Sequence, residues 1–216
     1  SDSAALPPSS ELLVGLVEAD GSQMAFHQTG NGYEAVSGSG DRLSQQGPQW
    51  VLQRRTETLR FDAEGRMISR TRDDGTALAY HYDGMGRLLS IAHSSGRILR
   101  FHYNAPQRAD LVSALSVAEH VVATYAYGAF NQVASVTYAD GATRSYHYED
   151  SRFPQYLTGV TAEDSRRYGW YAYDAKARVP CSRHPGDCSQ VDVGIDGTRL
   201  AYPAAGTAVV TDALGH

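Results

Sequence analysis

The chemistry open to this chain of 216 residues starts from two cysteines, eight histidines and a few adjacent carboxylates. Cys181 and Cys188 flank Ser-Arg-His-Pro-Gly-Asp, and three readings of that loop stand open. A disulfide could close it, since Pro185-Gly186 lets the ends approach; that implies an oxidising compartment. Free thiols are the second reading. A metal site with His184 is the third, although three ligands in one loop match no closed zinc pattern. His81, His102 and His147 recur about 21 residues or a multiple apart. If each belongs to a separate hairpin, equivalent residues lie two strands, or about 10 Å, apart. That is too far for shared ligation at about 2 Å per bond, so these histidines read as a polar slot on a solvated face.

Carboxylates adjoin at Asp73-Asp74, Glu149-Asp150 and Glu163-Asp164. Neighbours in a strand point to opposite faces, so none is a ready acid/base pair. The chain has no Gly-x-Ser-x-Gly elbow, no His-Glu-x-x-His and no phosphate-cradling glycine loop. No cofactor and no catalytic residue is expected. The net charge of −5 and the dispersed basic residues exclude a nucleic-acid footprint. No apolar run reaches the 18 residues that a membrane helix needs.

The elements that must carry these residues are legible from the tyrosines, 14 against 5 Phe and 2 Trp. Aromatic residues fall in spaced pairs: Phe61 after Leu59, Tyr80 with Tyr82, Phe101 with Tyr103, Tyr125 with Tyr127, Tyr146 with Tyr148 and Tyr171 with Tyr173. Steps between the second members are 21, 21, 24, 21 and 25 residues. Such a period marks a repeat architecture. Asp62-Ala63-Glu64-Gly65-Arg66 and Asp83-Gly84-Met85-Gly86-Arg87 follow two of the pairs. Asp at the first position accepts local backbone bonds, and Gly at the fourth takes positive φ, so each reads as a type I turn closed by a left-handed glycine. A second turn follows at Asp74-Gly75, Ser95-Gly96 or Asp140-Gly141. One repeat is therefore one hairpin, and stacked hairpins share a continuous aromatic stripe. Residues 78, 80 and 82 share one strand face, with Ala79 and His81 on the other. With the stripe as the sheet's inner face, Tyr82→Ala is expected to cost about 3 kcal/mol. His81→Ala is expected to stay within about 0.5 kcal/mol. Residues 111–122 are the nearest approach to a helical pattern, but their valines favour strand.

These residues resemble the RHS or YD-repeat family, through Tyr80-x-Tyr82, Tyr82-Asp83-x-x-Gly86-Arg87-Leu88 and the spacing near 21. The resemblance covers roughly residues 57–216 and weakens later, where Gly128-x-x-Asn131, Glu149-x-x-Arg152 and Asp174-x-x-Ala177 lose one or both turn residues. It implies an all-β fold of tandem antiparallel hairpins, in a curved, twisted sheet or partial β-spiral shell. It also implies a non-catalytic segment of a shell that encloses or presents a toxin or effector domain, in a secreted or cell-surface protein. The implied partners are further repeats or a toxin domain, of the same or another chain. The alternative is a carbohydrate or cell-surface binding module of propeller-like or ribbon architecture. The family's aspartyl self-cleavage motif is not carried over, since the string at 212–216 lacks its Pro and final Leu.

Along the chain, residues 1–10 are expected to be a disordered leader without a signal-peptide pattern. Residues 11–53 read as irregular strands, with turns at Asp20-Gly21 and Asn31-Gly32. Residues 54–216 are the hairpin array, interrupted at 175–190 by the cysteine-bearing loop. A further turn is expected at Asp196-Gly197.

Overall fold

The structure, a computed structural model, describes residues 13–18, 20–30, 32–105, 108–183, 197–204 and 206–211. The expected leader, Asn31, His184, Cys188, Asp196 and residues 212–216 lie outside the described residues. Residues 1–100 and 101–216 form two compact units. The first contains β1 (Leu13–Val17), β2 (Gln23–Thr29), β3 (Gly32–Ala35), β4 (Arg42–Gln46), β5 (Gln49–Gln53), β6 (Glu57–Phe61), β7 (Met67–Arg72), β8 (Ala77–Tyr82), β9 (Leu88–His93) and the start of β10 (Ile98–His102). Each pairs antiparallel with the next.

The second unit contains β11 (Ala114–Val117), β12 (His120–Tyr127), β13 (Val133–Tyr138), β14 (Thr143–His147), β15 (Gly159–Thr161), β16 (Arg167–Ala172), β17 (Cys181–Arg183), β18 (Gly197–Ala204) and β19 (Thr207–Thr211). From β11 to β19 the pairing is again antiparallel and sequential. Among the described residues there is no α-helix, and so none long and apolar enough to cross a membrane. The stretch 111–122 holds β11, a turn at Ala118-Glu119 with φ of 48° and 64°, and the start of β12. Cys181 opens β17, which pairs with both β16 and β18, so this part of the cysteine segment belongs to the sheet rather than interrupting it.

Register explains the faces. One cross-strand row in the first unit runs Tyr33, Leu43, Leu52, Leu59, Arg70, Leu78, His93. The opposite face carries Ser44, Val51, Arg60, Ser69, Ala79, Ala92 and Ile98. The first row is buried from Leu43 to Leu59, with Tyr33 half-buried ahead of them, then meets Arg70, whose Nε donates to Glu57 Oε2 at 2.6 Å. The core is therefore densest early, around Phe26, Ala35, Leu43, Leu52, Leu59 and Phe61. The cluster runs across strands β2 to β6. The described residues between 13 and 53 carry the paired strands β1 to β5, and β5 pairs in turn with β6.

The repeat tyrosines differ from the expected fully buried stripe. Tyr80, Tyr82, Tyr103, Tyr125, Tyr127, Tyr146, Tyr148, Tyr171 and Tyr173 are all half-buried. A phenol can bury its ring only as far as its hydroxyl can still find an acceptor, which places it near the sheet's edge rather than in the dry core. In the second unit the buried apolar residues are small: Ala105, Ala123, Val136 and Val160. Leu52→Ala is expected to lower unfolding free energy by about 3 kcal/mol, whereas Leu89→Ala, on a side chain 41% exposed, stays within about 0.5 kcal/mol. Denaturant melts of the two variants decide the comparison.

Candidate functional site

The recurring constellation lies at the hairpin turns. In Asp83-Gly84-Met85-Gly86-Arg87 the Gly86 N–H donates to Asp83 O at 3.0 Å and the Asp83 N–H to Arg87 O at 2.9 Å. Gly86 sits at φ 81°. Asp83 Oδ1 accepts from the Met85 and Arg87 N–H groups, each at 2.9 Å, and Oδ2 accepts from Arg87 Nε at 2.7 Å. Asp62 serves Glu64 and Arg66 in the same way, and Asp174 serves Lys176 and Arg178. At Asp83 and Asp174 the backbone N–H of the turn arginine, then its guanidinium, holds the carboxylate below its usual range. At Asp62 burial pulls upward, but Arg66 outweighs it.

The turn survives loss of its glycine. Asn131 and Ala177 occupy the same left-handed position at φ 63° and 60°. A side chain there costs roughly 1 kcal/mol, which the rest of the turn absorbs. The sequence pattern degrades at these repeats, yet the backbone does not.

Two kinds of contact, running in opposite directions, join turns to neighbouring repeats. The second tyrosine of a repeat donates its hydroxyl backwards to a main-chain carbonyl of the preceding repeat. Tyr82 reaches Met67 O at 2.9 Å, Tyr127 reaches Val112 O at 2.7 Å, Tyr148 reaches Val133 O at 2.9 Å and Tyr173 reaches Leu157 O at 2.8 Å. Tyr202 extends the series to Val179 O at 3.3 Å. The last turn residue reaches forwards. Arg66 Cζ lies 5.2 Å from the centre of the Tyr82 ring, and Arg178 Cζ lies 4.2 Å from that of Tyr202. A Cβ at Gly86 would stand 3.1 Å from Arg66 Nη1, so that glycine also makes room for the preceding repeat's arginine. Where Gln132 replaces arginine, its Nε2 donates to Pro154 O at 3.4 Å.

The repeat that begins at Glu149 exchanges these parts. Glu149 accepts from Arg167 of the following hairpin at 3.0 and 2.8 Å. Arg152 pairs with Asp150 and donates to Tyr173 O at 2.9 Å. Phe153, Tyr156 and Tyr173 pack ring to ring in the enlarged loop, with centroids 5.1 to 6.3 Å apart.

Of the other singled-out residues, His102 Nε2 lies 2.8 Å from Ser116 Oγ and His147 Nε2 lies 2.7 Å from Thr161 Oγ1, both cross-strand pairs within a sheet face. His81 is exposed. No three His, Cys, Asp or Glu residues converge as a metal site among the described residues. Cys181 is disulfide-bonded, while Cys188 is outside the described residues. Sequence reasoning missed the forward-reaching arginines and Gln132; the arginine ending each Asp-x-x-Gly-Arg was the available signal.

Hairpins that take hydrogen-bond partners from the preceding and following hairpins make a tandem β-hairpin repeat array. The chain belongs to the Teneurin YD-shell family, whose profile matches residues 20–148, more than half of its length. No curated protein matches it. Among solved structures it is similar to a crystal structure of TcdB2-TccC3, at 16% identity and a TM-score of 0.49, over 89% of this chain and 11% of that one. The Photorhabdus luminescens Tc holotoxin pore matches at 16% identity and a TM-score of 0.48, over 83% and 10%. The chain thus spans about a tenth of the length of these structures.

Two outcomes follow from the tyrosine ladder. Tyr148→Phe deletes the hydroxyl and its bond to Val133 O, and is expected to cost about 1 kcal/mol in a denaturant melt. Burial is the leading cause that raises Tyr82, Tyr127, Tyr148 and Tyr173 above the ordinary phenol value. The folded state thus favours their neutral form. That contribution is full below the unfolded-state value and disappears as pH rises through the folded one. Phenolate absorbance should show a late-titrating group of tyrosines, with unfolding following their ionisation. A single transition at the ordinary value would contradict the ladder.

Proposed function

We propose that this chain is a wall segment of a larger YD-repeat shell that encloses or presents a toxin or effector domain. In this reading the protein is non-catalytic and is secreted or displayed at the cell surface. One observation carries it: the polar groups that recur with the repeat are engaged in holding the hairpins. The turn carboxylates fix their own turns, the phenol hydroxyls and the turn arginines Arg66 and Arg178 reach adjacent hairpins, and His102 and His147 hold neighbouring strands. Groups engaged in this way support architecture rather than turnover. The domain boundaries 54–216 and the roles of Phe61, Asp62, Gly65, Tyr103, Tyr125, Tyr146 and Tyr171 as repeat positions belong to the same proposal.

A wall segment carries joining edges. Among the described residues β19 pairs with β18 alone, Val209 and Val210 on it are 47% and 57% exposed, and apolar residues on a strand edge invite pairing. Light scattering should therefore find self-association that falls when flanking repeats are added C-terminally, or when Val210→Lys places a charge on the edge. Hydrolysis of glycoside, ester and peptide substrates should be absent. Tight glycan binding lost in Tyr127→Ala, with the fold intact, would reject the wall reading and favour a binding module.

A further inference from the structure

We propose that one face of β7, β8 and β9 carries an anion site, built from Arg70, Arg72, Thr76 and His93 beside Leu78, that takes a carboxylate on a short aliphatic stem. These five residues line one cavity of about 170 Å3. Register puts them on a single face. Arg70 opposes Leu78, and Leu78 opposes His93. Arg72 and Thr76 stand two residues from Arg70 and Leu78, so strand alternation returns them to that face. The Arg72 N–H donates to Thr76 O at 2.9 Å and closes the hairpin between them.

The cavity is lined by donors and one apolar side chain. No carboxylate is among the described residues that line it. Arg70 spends its Nε on Glu57 Oε2 at 2.6 Å, and its terminal nitrogens make no ion pair among the described residues. Arg72 is exposed. The tautomer of His93 is fixed by its own turn. The Ser95 N–H donates to His93 Nδ1 at 3.0 Å, and a backbone N–H can only donate. Nδ1 is therefore the acceptor, and Nε2 carries the proton as a second donor. Two guanidinium groups, an imidazole N–H and the Thr76 hydroxyl thus share one small space.

The surroundings select the anion. Arg70 and Arg72 also line a larger neighbouring cavity, together with Glu57, Asp73 and Asp74. Asp74 Oδ1 accepts from the Thr76 N–H at 2.8 Å, which ties that carboxylate to its turn. Three negative groups behind the arginines disfavour a dianion such as phosphate and leave a single charge as the better match. Leu78 offers contact to a methylene stem, which an inorganic ion lacks. The volume is below the roughly 300 Å3 at which pockets begin to hold a whole drug-sized ligand, so one carboxylate group with its stem is what fits. Guanidinium groups suit that group because their paired donors match its two oxygens.

The site is independent of the wall reading, and its failure would leave that reading untouched. In the full chain, nuclear magnetic resonance can follow the Leu78 methyls and the His93 Nε2–H as butyrate is added. Both are expected to move along one saturable curve. Arg72→Met, at an exposed position, is expected to weaken binding by about tenfold, and His93→Phe by a similar factor, with the spectrum elsewhere unchanged. Inorganic phosphate is expected to bind less tightly than butyrate. A blocked peptide with one glutamate, compared with its glutamine twin, tells the source: binding tighter than that of butyrate points to a polypeptide side chain, and weaker binding to a free small acid. Shifts that never saturate, shifts that Arg72→Met leaves unchanged, or phosphate that binds as well as butyrate overturn the proposal.

Discussion

A half-buried main-chain carbonyl needs a donor, and from Tyr82 to Tyr173 the donor is a tyrosine that arrives 15 or 16 residues later, while Tyr202 reaches back 23. The sequence separation is 15 for the Tyr82, Tyr127 and Tyr148 bonds and 16 for that of Tyr173. Where the separation is kept, the span between acceptor and donor must keep its length and the turn its geometry. A one-residue slip would turn the whole strand over and leave the hydroxyl without its acceptor. The carboxylate that closes each turn follows from the same need, because it fixes where the next strand begins.

The array and the early core stabilise in different ways. Around Phe26, Leu52 and Phe61 apolar side chains from β2 to β6 form one cluster, and Phe26 and Leu52 are fully buried. Beyond β6 the buried apolar residues are small, Ala105, Ala123, Val136 and Val160, and more of the holding is polar and nearest-neighbour. Arg70 marks the change, since it occupies the row that Leu43, Leu52 and Leu59 fill on earlier strands. Loss of one hydroxyl in the array is then a local injury, whereas a cavity at Leu52 is felt by several strands.

The hairpin architecture was legible because period, turn residues and alternation agree at Tyr80 to Leu88. The turn carboxylate's role could be read at Asp62 and Asp83, where Gly and Arg follow at fixed offsets. Much of the rest was not legible, for physical reasons. A main-chain acceptor such as Met67 O leaves no trace in residue identity, so the hydroxyl ladder could not be seen. Left-handed Asn131 and Ala177 kept turns whose glycine was gone. Residues 11–53 looked irregular because their hairpins lack the tyrosine mark, although Phe26 and Leu43 pack more tightly than any repeat tyrosine. The ion pair between Arg54 and Glu18 joins residues 36 positions apart, beyond any local pattern.

The two contacts between successive turns differ in direction, and this gives the ribbon a sense of time. A tyrosine hydroxyl points to a carbonyl nearer the N-terminus, while an arginine such as Arg66 points to a ring nearer the C-terminus. On a ribosome the acceptor is always made before its donor. Each emerging hairpin can dock at once on a finished one, whose arginine is already held by its own turn carboxylate. Vectorial synthesis thus adds hairpins in the order in which their bonds can close, and no hairpin has to wait for a distant segment before it is held.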